Sequence, residues 1–126
     1  MDGATINLYR GAMGLTVTDL ADRLGVDRRT IQRWENNSWP IPPDSQALID
    51  DMWQNWLDRI DSLLGEIDEL PPGSEIDLAV YVSDGSLAAA GSDLTVREAN
   101  ALNRALAVSL GLADLVPIAR VVPVED

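Results

Sequence analysis

The residues with the clearest chemical potential lie close together, because Arg28, Arg29 and Arg33 fall within six consecutive positions. The whole chain of 126 residues has the opposite character, with a formal net charge of −12 and only nine basic residues. A guanidinium presents a planar fork of N–H donors that can form two parallel hydrogen bonds to one partner. A cluster of charges opposite in sign to the net charge of a protein is usually there to bind a partner. The alternative is a solvated surface on which these arginines pair with Asp19, Asp22 or Asp27.

Composition excludes most catalytic and metal-binding chemistry. The chain contains no cysteine and no histidine, which excludes disulfides, thiolate nucleophiles, imidazole bases and the usual nitrogen or sulfur ligands of zinc. The neighbouring acids Asp50–Asp51 and Asp68–Glu69 would face different ways on a helix, so neither forms a juxtaposed acid pair. No glycine-rich phosphate loop is present. We therefore predict a protein that is not an enzyme, with no catalytic residue, no metal site and no cofactor.

Hydropathy and charge predict where the protein works and how it is divided. No apolar run approaches the roughly 20 residues of a membrane span, and the N-terminus lacks the pattern of a signal peptide, so we expect a cytoplasmic protein without membrane contact. Residues 1–40 hold five arginines and five acids, whereas residues 41–126 hold four arginines and sixteen acids. This imbalance predicts two functional parts, and we place their boundary between 1–43 and 44–126.

Helix signals surround the arginines. A first helix is predicted at Thr5–Met13. Thr16 with an acid three positions later is a capping-box pattern, and Gly25 suits the end of the helix that it opens. The next helix is predicted to follow an Asp27 N-cap and to end near a left-handed Asn37. Two short helices joined by a tight turn form the helix-turn-helix layout. Their apolar stripes comprise Leu20, Ala21, Leu24, Val26, Ile31 and Trp34.

The stretch "LTVTDLADRLGVDRRTIQRWENN" resembles the helix-turn-helix family of the Cro and lambda-repressor type, also called XRE-like. The resemblance covers about the first 40 residues. Asn37 departs from the family, which very often has glycine there, although asparagine also tolerates the left-handed conformation. Members often join an arginine late in the first helix to the glutamate after the recognition helix, which implies an ion pair between Arg10 and Glu35.

The resemblance also implies DNA contacts, because the family places the second helix of the motif in the major groove. Arginine pairs with O6 and N7 of guanine, and glutamine pairs with N6 and N7 of adenine. The outward, base-reading positions are Arg28, Arg29, Gln32 and Arg33. Backbone phosphates would meet Thr16, Val17, Thr18, Asn36, Asn37 and Ser38, for which capping and turn formation are the alternative roles.

A long helix is predicted over residues 44–70, with Asp44 or Ser45 as its cap. Its apolar residues recur at alternating steps of four and three, which is the seven-residue repeat of a helix-packing seam. Such a seam indicates an intramolecular core or a two-fold dimer contact, and both can hold. The seam comprises Ile49, Trp53, Trp56, Ile60, Leu63, Ile67 and Leu70.

The last third of the sequence predicts a β-α-β unit. Residues 75–82 alternate as a strand does, and the following loop has room for one helical turn. A capping box at Thr95 opens a helix to Leu110, with Gly111 at its end. The final strand, 115–124, contains two prolines that make it an edge strand, Pro117 and Pro123. Because two strands form a marginal sheet alone, pairing with a second copy or packing on the long helix would complete it.

The predicted fold is therefore α+β and mainly α: a helix-turn-helix bundle, a long connecting helix and a small C-terminal β-α-β dimerisation unit. This architecture resembles the anti-CRISPR-associated autorepressors, which implies a homodimer that represses its own operon; some relatives also bind RNA. We predict a sequence-specific transcriptional regulator that binds double-stranded DNA at an inverted repeat. The alternative is an antitoxin whose acidic C-terminal half binds a toxin or another protein.

Overall fold

A computed structural model describes residues 1–67 and 69–122, which form two compact units, Met1–Asp58 and Arg59–Asp126. The fold is α+β and mainly α, as predicted. None of the helices in the described ranges is long and apolar enough to cross a lipid bilayer. In chain order the elements are α1 Gly3–Ala12, α2 Val17–Leu24, α3 Arg28–Glu35, α4 Pro43–Gly65, β1 Glu75–Tyr81, α5 Asp84–Ala89, α6 Val96–Leu112 and β2 Val116–Val122.

Helix α1 begins at Gly3, two residues before the predicted start. Its N-cap is Asp2, whose carboxylate accepts the backbone N–H of Thr5 at 2.8 Å and satisfies one donor of the first turn. The same hydrogen bond holds the pKa of the Asp2 carboxyl below its ordinary value, because it favours the charged form. The predicted start was wrong because this cap was not recognised.

The turn between α2 and α3 follows the sequence signals closely. The Thr16 hydroxyl accepts the Asp19 N–H, and the Asp19 carboxylate accepts the Thr16 N–H, so the predicted capping box is confirmed. Gly25 ends α2 in the left-handed conformation, with φ of 68°. Asp27 occupies the N-cap position of α3, as predicted, although its side chain makes no capping hydrogen bond.

The core of the first unit takes one fully buried side chain from each of its four helices. These residues, each 0–1% exposed, are Ile6, Leu20, Ile31 and Ile49. Full burial of such a side chain contributes about 1.5–3 kcal/mol. Tyr9 adds a second tie between α1 and α4, since its ring stacks on the ring of Trp53 with centroids 4.2 Å apart. The start of α4 is therefore part of the first unit.

Helix α4 is shorter than predicted and ends at Gly65. Glycine is a weak helix former, and Pro71–Pro72 follow shortly after it, so the regular apolar repeat does not carry the helix to residue 70. It begins at Pro43 rather than after an Asp44 or Ser45 cap, because proline suits the first helical position. Ile67 and the exposed Leu70 lie beyond the helix, whereas Asp68 lies outside the described residues.

The first half of the predicted seam on α4 is more buried than the second half. Ile49 and Trp56 are buried, and Trp53 stacks within the chain, so the first half of the seam packs intramolecularly. Ile60 is half-buried and Leu63 is 36% exposed. The role of the seam as a dimer contact stays a prediction.

The second unit is built around a parallel pair of strands. Strand β1 pairs with β2 from Glu75↔Val116 to Tyr81↔Val122. Parallel strands require a long crossover, which α5 and α6 provide here. Helix α5 lies where the sequence predicted a loop with room for one turn. Helix α6 packs on both strands and buries Leu102, Leu106 and Leu110.

Helix α6 opens with the predicted Thr95 capping box and extends past its predicted end. The Glu98 carboxylate accepts the N–H and hydroxyl of Thr95, which satisfies a side chain that is only 3% exposed. The helix continues to Leu112, and the left-handed residue that follows it is Asp114. Gly111 is therefore inside the helix, and its predicted role as terminator was wrong.

Strand β2 presents an open edge. The Val116 N–H donates to the Ser74 carbonyl at 2.9 Å, and alternate residues of a strand point their backbone groups to opposite sides. Pro117, which has no N–H, therefore points away from β1 and costs the ladder no hydrogen bond. The edge position predicted from Pro117 is confirmed, whereas Pro123 and residue 124 of the predicted strand lie outside the described residues.

Candidate nucleic-acid interface

One face of α3 gathers all four side chains predicted to read bases. Positions three and four apart share a helix face, so Arg28, Arg29, Gln32 and Arg33 form a contiguous surface. Arg28, Arg29 and Gln32 are exposed and Arg33 is half-buried. The opposite face buries Ile31 and Trp34 in the first unit. The hydrophobic core thus holds α3 with this face outward; base reading itself stays a prediction.

The arginines of this face differ from the paired arginines elsewhere in the protein. Arg10 donates from Nε to Glu35 at 2.8 Å, and Arg59 binds Asp93 at 3.2 Å. Within the described ranges, no hydrogen bond or ion pair engages the guanidinium groups of Arg28, Arg29 or Arg33. The alternative pairing with Asp19, Asp22 or Asp27 is therefore not observed. Their N–H donors remain available for an external acceptor.

Three residues at the start of α2 were predicted to bind phosphate, and in the described part of the chain two of them have N–H groups without an acceptor. The N–H and hydroxyl of Thr16 are both engaged with Asp19 in the capping box. The N–H groups of Val17 and Thr18, at the positive end of the helix dipole, have no acceptor among the described residues. These two N–H groups can still donate to a phosphate oxygen of DNA. The Asp19 carboxylate lies in the same turn.

The other predicted phosphate contacts follow α3 and serve the turn that ends it. The Asn36 side chain accepts the Ser38 N–H, and the Asn37 side chain accepts the Gly3 N–H, both at 2.9 Å. Asn37 is left-handed, with φ of 62°, as the sequence predicted. The capping role of both asparagines is thus observed. Their NH₂ groups and the exposed Ser38 hydroxyl make no hydrogen bond in the described part of the chain, so the phosphate role stays a prediction.

An ion pair joins α1 to the end of α3. Arg10 donates to Glu35 from Nε and to the Leu15 carbonyl at 3.1 Å from a terminal nitrogen. Asn7 adds a third contact by donating to the same Glu35 oxygen at 3.2 Å. The side chains of the pair are only 18% and 11% exposed, so removing either partner would leave a desolvated charge. The ion pair implied by the resemblance is confirmed, and it holds α3 against α1.

Trp39 also belongs to this surface, and the sequence analysis did not identify it. The central guanidinium carbon of Arg33 lies 4.1 Å from the centroid of the Trp39 ring. The indole is 48% exposed, which is unusual for so large an aromatic residue. The available signal was a tryptophan placed a few residues after a basic helix.

Comparison with known proteins agrees with the geometry. The family model described as "Helix-turn-helix" matches residues 6–49, which span α1 to α3 and the start of α4. No curated protein matches the chain at a significant level.

Proposed function

Because residues 6–49 belong to the XRE-like helix-turn-helix family of DNA-binding regulators, we propose that this protein is a cytoplasmic, dimeric autorepressor that reads an inverted-repeat operator. The family is a DNA-binding one rather than an enzymatic one. The observation that carries the proposal is the outward face of α3, where the guanidinium groups of Arg28, Arg29 and Arg33 have no ion-pair or hydrogen-bonding partner in the described ranges.

The proposed base contacts follow from the geometry of α3. Its N-terminal residues enter the major groove in this family, so Arg28 and Arg29 are the first candidates for guanine. Gln32 lies one turn further along the same face, where its amide can pair with adenine. The amides of Val17 and Thr18 would hold a phosphate and set the register of α3 on the duplex.

Dimerisation is proposed because one helix-turn-helix offers few contacts and because the second unit leaves apolar surface open. Leu63 is 36% and Val121 is 62% exposed, and among the described residues the sheet consists of β1 and β2 alone. A two-fold axis through residues 44–126 would cover such surface and present two copies of α3.

Sedimentation equilibrium at micromolar concentration is expected to give twice the monomer mass. Leu63→Glu should shift the distribution toward monomer, because a charge in an apolar contact is costly. Leu8→Glu is the matched control, since Leu8 is 67% exposed on α1, outside the proposed contact. A wild-type protein that is monomeric throughout this range would contradict the dimer.

Selection from random duplex DNA tests the function itself. We expect sites with two-fold symmetry whose half-site centres lie about one helical turn, roughly 10 base pairs, or a multiple of it, apart. Binding to unrelated duplexes should be weak, because a chain with net charge −12 repels DNA outside the arginine surface. Selected sites without two-fold symmetry, or no DNA binding at about 50 mM salt, where such contacts are strongest, would defeat the repressor proposal.

An antitoxin is the second candidate, and the charge distribution favours it. The whole excess of acidic residues follows residue 40, which suits a cover for a basic protein surface. In that case α3 would regulate the protein's own operon while the second unit held the toxin. Copurification of the full chain with a basic protein encoded beside it would distinguish the antitoxin from a simple repressor.

A further inference from the structure

The chain reverses direction directly after α3 and returns over the last turn of that helix. The left-handed Asn37 turns the backbone. The N–H groups of Ser38 and Trp39 then both donate to the Arg33 carbonyl, at 2.9 and 3.2 Å. The Asn37 side chain anchors the turn to Gly3. Backbone hydrogen bonds, rather than burial of the indole, therefore place Trp39 beside Arg33.

The contact between the two side chains is of the cation–π type. The Arg33 guanidinium carbon lies 4.1 Å from the ring centroid, inside the limit of about 6 Å for this attraction. A guanidinium stacked on an aromatic face keeps its in-plane N–H donors for other acceptors. The Arg33 guanidinium makes no hydrogen bond to the described residues, so the protein does not use those donors.

Arg33 is thus prepared for binding in a way that the other arginines of α3 are not. Arg28 and Arg29 are exposed, and no ring contact restrains either of them in the described part of the chain. Immobilising a long, flexible side chain on binding costs conformational entropy, and a side chain that is already held in place avoids part of that cost. Trp39 is also not part of the hydrophobic core, so packing in the core does not account for a tryptophan at this position.

We propose that Trp39 is a positioning residue that holds the Arg33 guanidinium for two parallel hydrogen bonds to one guanine. Discrimination at that base pair then depends on both residues, although only Arg33 touches the base. This inference rests on the proposed function, because it assumes that α3 reads DNA.

The test is a double-mutant cycle with the full chain on the DNA site that the wild-type protein selects. Arg33→Ala is expected to weaken binding about 10- to 100-fold and to relax preference at one base pair. Trp39→Ala is expected to weaken binding about 3- to 10-fold and to relax preference at the same base pair. In the Arg33→Ala background, Trp39→Ala should cause no further loss. Trp39→Phe keeps an aromatic face and should retain most of the affinity and the base preference.

The same set of variants includes controls for folding and for the loss of an exposed apolar side chain. Trp39→Ala leaves the backbone hydrogen bonds of the turn intact, and unfolding curves of each variant verify that it is folded. Leu8→Ala removes another exposed apolar side chain and should leave the base preference unchanged.

Equal losses from Trp39→Ala in the wild-type and Arg33→Ala backgrounds would overturn the inference, since Trp39 would then act on DNA by itself. No loss from Trp39→Ala would also overturn it. If the wild-type protein selects a site, these results leave the proposed function standing. If the wild-type protein selects no site, the proposed function and this inference both fail.

Discussion

Replacing Arg28 or Arg29 by alanine is expected to weaken binding to the selected DNA site by about 1–3 kcal/mol each and to relax preference at one base pair. Both residues are exposed in the first turn of α3, and their guanidinium groups have no hydrogen-bonding or ion-pair partner in the described ranges. A cation there opposes the helix dipole by about 0.3–1 kcal/mol, so its removal should leave the free energy of unfolding unchanged or raise it. DNA binding should therefore weaken without a loss of stability, and titration with labelled duplexes and urea unfolding measure the two quantities separately.

Two further variants distinguish base reading from general attraction. Arg29→Lys keeps the charge but loses the bidentate fork, so it should retain binding to random DNA and lose discrimination. Arg104→Ala removes the same charge from an exposed position of α6 and should leave the ratio of selected to random affinity unchanged. If Arg28→Ala and Arg29→Ala both keep the wild-type ratio, the proposed role of the α3 arginines is wrong.

Gly3→Ala is expected to destabilise the first unit by about 1–3 kcal/mol or more, because overpacking against rigid groups forces the backbone to move. A Cβ at Gly3 would overlap the backbone carbonyl oxygens of Trp34 and Glu35, and neither carbonyl can move as a flexible side chain does. The Gly3 N–H also binds Asn37 at 2.9 Å, so displacement would loosen the turn after α3. Urea unfolding measures the change in stability directly.

Gly11→Ala provides the matched control in the same helix. Its Cβ would meet no atom within 4 Å, and alanine favours a helix over glycine by about 0.5–1 kcal/mol. This variant should therefore be as stable as the wild type or more stable. A Gly3→Ala protein with the same urea midpoint as the wild type would contradict the prediction, because α1 and α3 would then have moved apart without a loss of stability.

The helix-turn-helix was predictable because its signals are local. The Thr16 capping box, the left-handed Gly25 and the period of the apolar residues all lie within one or two helical turns of what they determine. Asn37 was predictable for the same reason. The Arg10–Glu35 pair joins residues 25 positions apart and was reached only through the family resemblance.

Features that depend on distant contacts were not predictable from pattern. Gly3 lies against the end of α3, an approach that no spacing rule indicates. Trp39 folds back on Arg33, and its only signal in the sequence was its place a few residues after a basic helix. The apolar repeat of α4 continues in the sequence through Ile67 and Leu70, although the helix ends at Gly65, because periodicity records apolar positions and not backbone continuity. The boundary between the two compact units falls between Asp58 and Arg59, inside α4, where the composition of the sequence gives no signal of a boundary. The functional division at residues 43 and 44 stays a prediction.

The parallel pairing of β1 with β2 also orders events on the ribosome. Strand β1 is synthesised about 40 residues before its partner, because Glu75 pairs with Val116. Until then its apolar side chains have no sheet to join, and long-range parallel pairing is slow compared with helix formation. The fully buried residues of the first unit, by contrast, all precede Asp58, where that unit ends: Ile6, Leu20, Ile31 and Ile49. We therefore expect the first unit, with the arginines of α3 on its surface, to fold on the nascent chain before β2 has been synthesised.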